Sequence, residues 1–310
     1  MQETVAEYIQ YKRDLGFVCK ADGSDLRTFA KYADKYASGK PLTIKLALEW
    51  SSLPKSGIKR HNSLIGHLRT FAKYLIVEDK RTQLIPKGIY RVTSKRVEPY
   101  IYSKDEILLL MNTEVYEPLR EFANYTFSTI IGLLSCTGLR IGEAIALKHD
   151  DIDWKNGLLN VFDSKNMPRR SVPVDSSVIK QLQRYQRRKT RSFSINTQET
   201  FFVADNGNSL SYQNVYFAWK RVREITGIGG KNRRLPRMHD LRHTFACRYL
   251  ERAYRENKDV DASVHSLSIY LGHSSLRDTY WYLTGVPELM ALVGRRCEEH
   301  VLKYRQKNKS

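Results

Sequence analysis

The stretch LIPKGIYRVTSKRVEPY, residues 84–100, divides this chain into two parts that must fold around separate cores. Pro86 and Pro99 lack a backbone donor, Gly88 has no side chain to pack, and Lys87, Arg91, Lys95 and Arg96 keep the segment charged. On both sides apolar residues return at helical spacing. We therefore divide the chain into a helical domain over 1–85, a basic linker over 86–99 and a second domain over 100–310.

In the first domain Leu26, Phe29, Ala30, Ala33 and Tyr36 share one helical face, with Ser24 or Asp25 as the expected cap. Leu46, Ala47 and Trp50 form a shorter stripe introduced by Thr43, and Leu64, Ile65, Leu68, Phe71, Ala72 and Leu75 form a long one. Residues 56–63 (SGIKRHNS) read as a basic turn before that helix, either a solvated helix start or an N-terminus that contacts phosphate. The second domain opens at Ser103-Lys104-Asp105-Glu106, a capping box ahead of Ile107, Leu108 and Leu110. An apolar helix over 118–136 should stop at Gly138. Residues 151–174 alternate around polar turns as a small antiparallel sheet, and helical patterns return at 176–190, 211–225 and from 239 onward. The expected fold class is mainly α with a small antiparallel β-sheet.

Fifty-two Lys and Arg face 33 Asp and Glu, a formal net charge of +19, and the excess is shared by both domains. A basic tail would leave one of them neutral, so two parts that both touch a polyanion fit better. Cys19, Cys136, Cys247 and Cys297 lie far apart and form no metal-type pair, which suits free thiols in a reducing compartment. The N-terminus has no apolar signal core, and no apolar run nears the roughly 18 residues that span a bilayer. The expected location is the cytoplasm, away from membranes.

Five polar clusters in the second domain gain meaning together: TGLRIGEA around Arg140, Lys165 between two predicted strands, HDLRH around His239 and Arg242, LGH around His273, and Tyr282 nine residues later. A phosphodiester resists attack because its charge repels nucleophiles and its alkoxide leaves poorly. Two guanidiniums can fork onto the non-bridging oxygens, a histidine adds a donor, a lysine can protonate the leaving oxygen and a phenol can attack. Arg169 and Arg170 rival Lys165, and Tyr280 rivals Tyr282. Glu143, one turn beyond Arg140, reads as a structural support for it. His239, His243 and Cys247 repeat every four residues, but they span roughly two helical turns, too far for one small ion, so His243 and Cys247 read as core-facing.

The motifs TGLRIGE, HDLRHT and LGH with the following tyrosine resemble the tyrosine recombinase (phage integrase) family over most of residues 100–290. The resemblance implies that Arg140, Lys165, His239, Arg242, His273 and the nucleophile Tyr282 are catalytic, with His239 helping to accept the phenolic proton. It also selects Tyr282 over Tyr280 by its spacing from His273. It implies a helical, SAM-like core-binding domain over 1–85 and an α+β catalytic domain over 100–310, with a tail helix at 286–301. The implied function is site-specific recombination of double-stranded DNA through a 3′-phosphotyrosine, with no cofactor, metal or ATP, on a mobile element. A homotetramer on paired sites is implied, monomeric or weakly associated when free. Type IB topoisomerases share the chemistry, but the two-domain plan and the tail favour a recombinase. An architectural DNA-binding protein that had lost catalysis would show gaps in the constellation, and none is visible.

Overall fold

The computed structural model of the 310-residue chain describes all residues except 20, 92–97, 117–119, 164–166, 194–198, 231–234, 285–289, 291–297 and 299–310. The chain divides into two compact units, the first formed by residues 1–96 and the second beginning at residue 97.

The first unit contains α1 (Gln2–Asp14), α2 (Ala21–Tyr36), α3 (Ile44–Ser52) and α4 (Ile58–Glu78). The stripes at 46–50 and 64–75 are buried as their spacing predicts, and they close around Phe29, Trp50, Leu68 and Phe71. Thr43 caps α3 by accepting from the Leu46 N–H at 3.2 Å. Two expectations fail. Tyr36 at the end of α2 is 60% exposed. Neither Ser24 nor Asp25 is a cap, because α2 already starts at Ala21. Asp25 lies inside the helix, buried, and takes both Arg60 and the His67 ring nitrogen, the latter at 2.9 Å. The basic stretch expected as a turn before α4 is helical from Ile58 on, and Arg60 in its first turn is committed to a carboxylate within the fold.

The second unit opens with α5 (Lys104–Asn112), and the capping box forms in both directions: Glu106 N–H to Ser103 Oγ at 3.0 Å and Ser103 N–H to Glu106 Oε2 at 2.8 Å. There follow α6 (Glu121–Thr137), α7 (Ile141–Ala146), β1 (Ile152–Asp153), β2 (Leu158–Asp163) and β3 (Met167–Pro173). The strands form an antiparallel sheet in the order β1-β2-β3, with Leu159 opposite Val172. Leu159, Val161 and Val172 point into the core, as alternation requires. Among the described residues there follow α8 (Ser176–Ser192), α9 (Tyr212–Thr226), α10 (His239–Arg255), α11 (Val260–Leu271) and α12 (Arg277–Thr284).

The main core of this unit packs α6, α8 and α9 through Ile130, Leu134, Tyr185, Phe201, Phe202 and Trp219. Each such side chain contributes about 1.5–3 kcal/mol on burial. A second cluster unites α10, α11 and α12 through Cys247, Leu250, Val264, Leu267, Leu271 and Tyr282. Among the described residues no helix is long and apolar enough to cross a membrane. Cys19 and Cys136 are thiols outside any disulfide.

Candidate active site

Two helix C-termini frame the site. α6 ends at Gly138 with φ +62° and α11 at Gly272 with φ +65°, left-handed residues that turn the chain away while the last carbonyls keep no intrahelical partner. Both positions also lack room for a side chain. A Cβ at Gly138 would lie 2.7 Å from the Phe245 ring, and one at Gly272 would lie 2.9 Å from the Arg170 guanidinium.

Three arginines converge on these carbonyl-rich ends, where the helix dipoles are negative. Arg242, in the first turn of α10 and 2% exposed, donates to Gly138 O at 2.8 Å and Leu271 O at 2.6 Å. Arg140, just before α7, donates to Gly272 O at 3.2 Å and Glu143 Oε1 at 2.8 Å. Arg170 on β3 donates through Nε to Tyr270 O at 3.0 Å and forks onto both Glu143 oxygens at 3.1 and 2.8 Å. Burial acts to raise the Glu143 carboxyl, but Arg170 and Arg140 outweigh it and hold it below the ordinary range. Burial and then the Arg140 charge push Arg242 down to about 10, so it stays cationic at neutral pH. Carbonyl dipoles do not cancel a full charge, and three guanidiniums around one glutamate leave the pocket positive.

Tyr282 projects from α12 and is 2% exposed. Its hydroxyl lies 3.2 Å from His243 Nδ1 and is near enough to Arg242 to feel its charge. Its ring stacks beside His273, centroids 6.2 Å apart. Burial pushes the phenol up to about 12 despite Arg242. Burial, then His239 and nearby arginines, push His243 down to about 3. His273, fixed by a 2.7 Å hydrogen bond between Nδ1 and Thr279 Oγ1, is lowered to about 4 by burial and by Arg242 and Arg140. His239 opens to solvent along one edge while its ring packs edge to face on His243 at 4.7 Å, and it is lowered to about 4 by desolvation of the ring and then by Arg242 and Arg237. At neutral pH the tyrosine is protonated and these histidines are neutral.

Arg140, His239, Arg242, His273 and Tyr282 are thus brought into one neighbourhood. Lys165 falls in the connection between β2 and β3 and lies outside the described residues. Of its rivals, Arg170 is bound to Glu143, while Arg169 is exposed and lies over the Phe162 ring at 4.4 Å. Tyr280 is 41% exposed and donates to Asp261 at 3.0 Å. Two side chains carry more than the sequence suggested. Arg170 belongs to the cationic framework, and His243, expected to be a core residue, touches the Tyr282 hydroxyl where His239 was expected to help. The adjacency of His243 to Arg242 in HDLRH was the available signal.

The phage integrase family matches residues 102–286, the span that holds all of these side chains. The chain belongs to that family. A Sinorhizobium fredii protein named as a candidate integrase/recombinase, y4rB, is 34% identical over 305 residues, 96% of each chain. Tyrosine recombinase XerD of Chlorobaculum tepidum is 27% identical over 243 residues, 77% of this chain and 72% of that protein. Among solved structures, the Tn1549 transposon integrase in complex with transposon right end DNA shares the fold at a TM-score of 0.64 and 17% identity, covering 94% of this chain and 98% of that one. As a phage integrase family member, the chain has its two motif glycines at the two helix ends that receive the arginines.

Proposed function

We propose that this chain is a site-specific DNA recombinase in which Tyr282 attacks a backbone phosphate. The observation that carries this is one pocket in which a tyrosine hydroxyl adjoins guanidiniums whose charge is only partly compensated. Arg140 and Arg242 bind the non-bridging oxygens and offset the charge that builds in the transition state. His273, neutral and oriented by Thr279, adds a hydrogen bond. The Tyr282 oxygen forms a bond to phosphorus, the bond to the 5′ oxygen breaks, and Lys165 supplies a proton to that leaving oxygen. The phenolic proton departs toward His243, beside which His239 opens to solvent. The 5′-hydroxyl of a partner strand then attacks the 3′-phosphotyrosine and releases Tyr282. One phosphoester replaces another, so the exchange is close to isoenergetic and needs neither ATP nor a metal.

Exchange between two duplexes needs two protomers on each, hence a homotetramer on paired sites, with the tail at 286–301 as the segment that links protomers. That tail lies outside the described residues except for Met290 and Glu298. The name of the Tn1549 transposon integrase supports the DNA of a mobile element as the substrate, and a cytoplasmic location fits that work.

The test is covalent attachment to a nicked duplex carrying the ends of the host element. Tyr282→Phe should bind as wild type does and form no adduct, while Tyr280→Phe should still form one. An adduct from Tyr282→Phe would move the nucleophile elsewhere.

A further inference from the structure

α8 carries a charge pattern that the active site does not use. Its 17 residues, SSVIKQLQRYQRRKTRS, include six basic side chains and no acidic one. Ile179, Leu182, Tyr185 and Lys189 face inward and are buried. Lys180, Arg184, Arg187 and Arg191 are all exposed. At 3.6 residues per turn they fall within an arc of about 60° and form a line about 16 Å long. Among the described residues no carboxylate forms an ion pair with any of the four, whereas the adjacent Arg188 is held by Glu121 and lies over the Tyr125 ring. A solvated helix face ordinarily interleaves both signs of charge, because like charges three or four residues apart weaken the helix. Here that repulsion recurs at 180/184, 184/187 and 187/191. Solvent alone does not require such a pattern, and a polyanion would relieve it.

The stripe is also remote from the phosphate pocket. Tyr185 packs against Phe122 and Tyr125 of α6 at 5.7 and 5.9 Å, and Gln181 donates to the Tyr125 hydroxyl at 3.2 Å. The pocket arginines gather at the opposite end of α6, around Gly138. Thirteen residues of helix separate Tyr125 from Gly138, about 20 Å at 1.5 Å per residue.

We propose that Lys180, Arg184, Arg187 and Arg191 form a second DNA-binding surface, gripping the duplex backbone at phosphates other than the one attacked. The proposal rests on the recombinase reading above. Phosphates of one strand recur about every 3.4 Å along the duplex axis, so a 16 Å stripe spans about five of them. Contacts of this kind align the duplex without choosing its sequence.

The experiment replaces all four residues with Gln in the full-length protein and measures binding to a random-sequence duplex of about 40 base pairs across a salt series. Neutralising four phosphate contacts should flatten the plot of log affinity against log salt by about 3 to 4. The melting temperature should hold or rise as helix repulsion is removed, and replacing the three arginines with Lys should preserve the slope. An unchanged slope in the Gln variant overturns the proposal. So does a loss of poly-glutamate binding with DNA binding intact, which would assign the stripe to an acidic protein segment. If the wild-type protein itself shows no salt-dependent DNA binding, the recombinase reading fails instead.

Discussion

At the residue scale the informative pair is Tyr282 and His243. A phenol held near 12 beside an imidazole held near 3 does not give up its proton spontaneously. His243 therefore acts first as an acceptor that aims the hydroxyl, and transfer becomes favourable only as the bond from oxygen to phosphorus forms and acidifies the phenol. His243→Phe, which keeps a flat ring and removes the acceptor, should slow single-turnover adduct formation by about a hundredfold with DNA affinity unchanged. A rate equal to wild type would make the contact incidental. The same histidines set a pH dependence. His243 and His273 are lowered in the folded chain, so between about 6.5 and about 4 the unfolded chain binds more protons and stability rises with pH. Thermal unfolding at a series of pH values should show the melting temperature falling as pH drops through that window. Replacing both histidines with Gln should flatten the fall. Arg140, Arg242, His273 and Tyr282 could be named from the sequence because their motifs carry them. The roles of His243 and Arg170 could not, since both depend on contacts across more than 25 residues of chain.

At the element scale the site is made of helix ends. Two arginines reach between α6 and α11 because each helix leaves carbonyls exposed at a glycine, and β3 sends Arg170 across to the same place. Gly272→Ala should destabilise the second unit by about 2 kcal/mol or more, since it forces an alanine into a left-handed conformation and against Arg170. Denaturant unfolding measures the first effect. Adduct formation should fall further than stability explains, because Arg170 fixes the Glu143 carboxylate that in turn holds Arg140. The helices around the site were legible because their apolar residues repeat at helical spacing. Asp25 was misread as a cap because side-chain type alone does not distinguish a helix start from a buried ion pair four residues inside it.

For the whole molecule, two sets of buried residues close separately. The first unit packs around Phe29, Trp50 and Phe71, while the second unit's cores draw only on residues beyond the linker. A fragment of residues 100–310 should therefore unfold in a cooperative transition of its own and still attach to nicked DNA through Tyr282. Its affinity should be weaker and its salt dependence shallower, because the basic first unit no longer contributes. An aggregated or unfolded fragment would mean that the second unit depends on the first.

The sequence by itself determined the helix-rich class with its small sheet and the family, and it singled out the residues proposed for the site. These are properties of spacing and residue type, read over short stretches of chain. Only the tertiary structure decided which imidazole meets the tyrosine, which strand arginine joins Glu143 and how far Tyr282 is buried. Those outcomes depend on the ends of α6, α10, α11 and α12 meeting in space, where burial and neighbouring charge act on side chains from distant parts of the chain. No local pattern encodes that encounter.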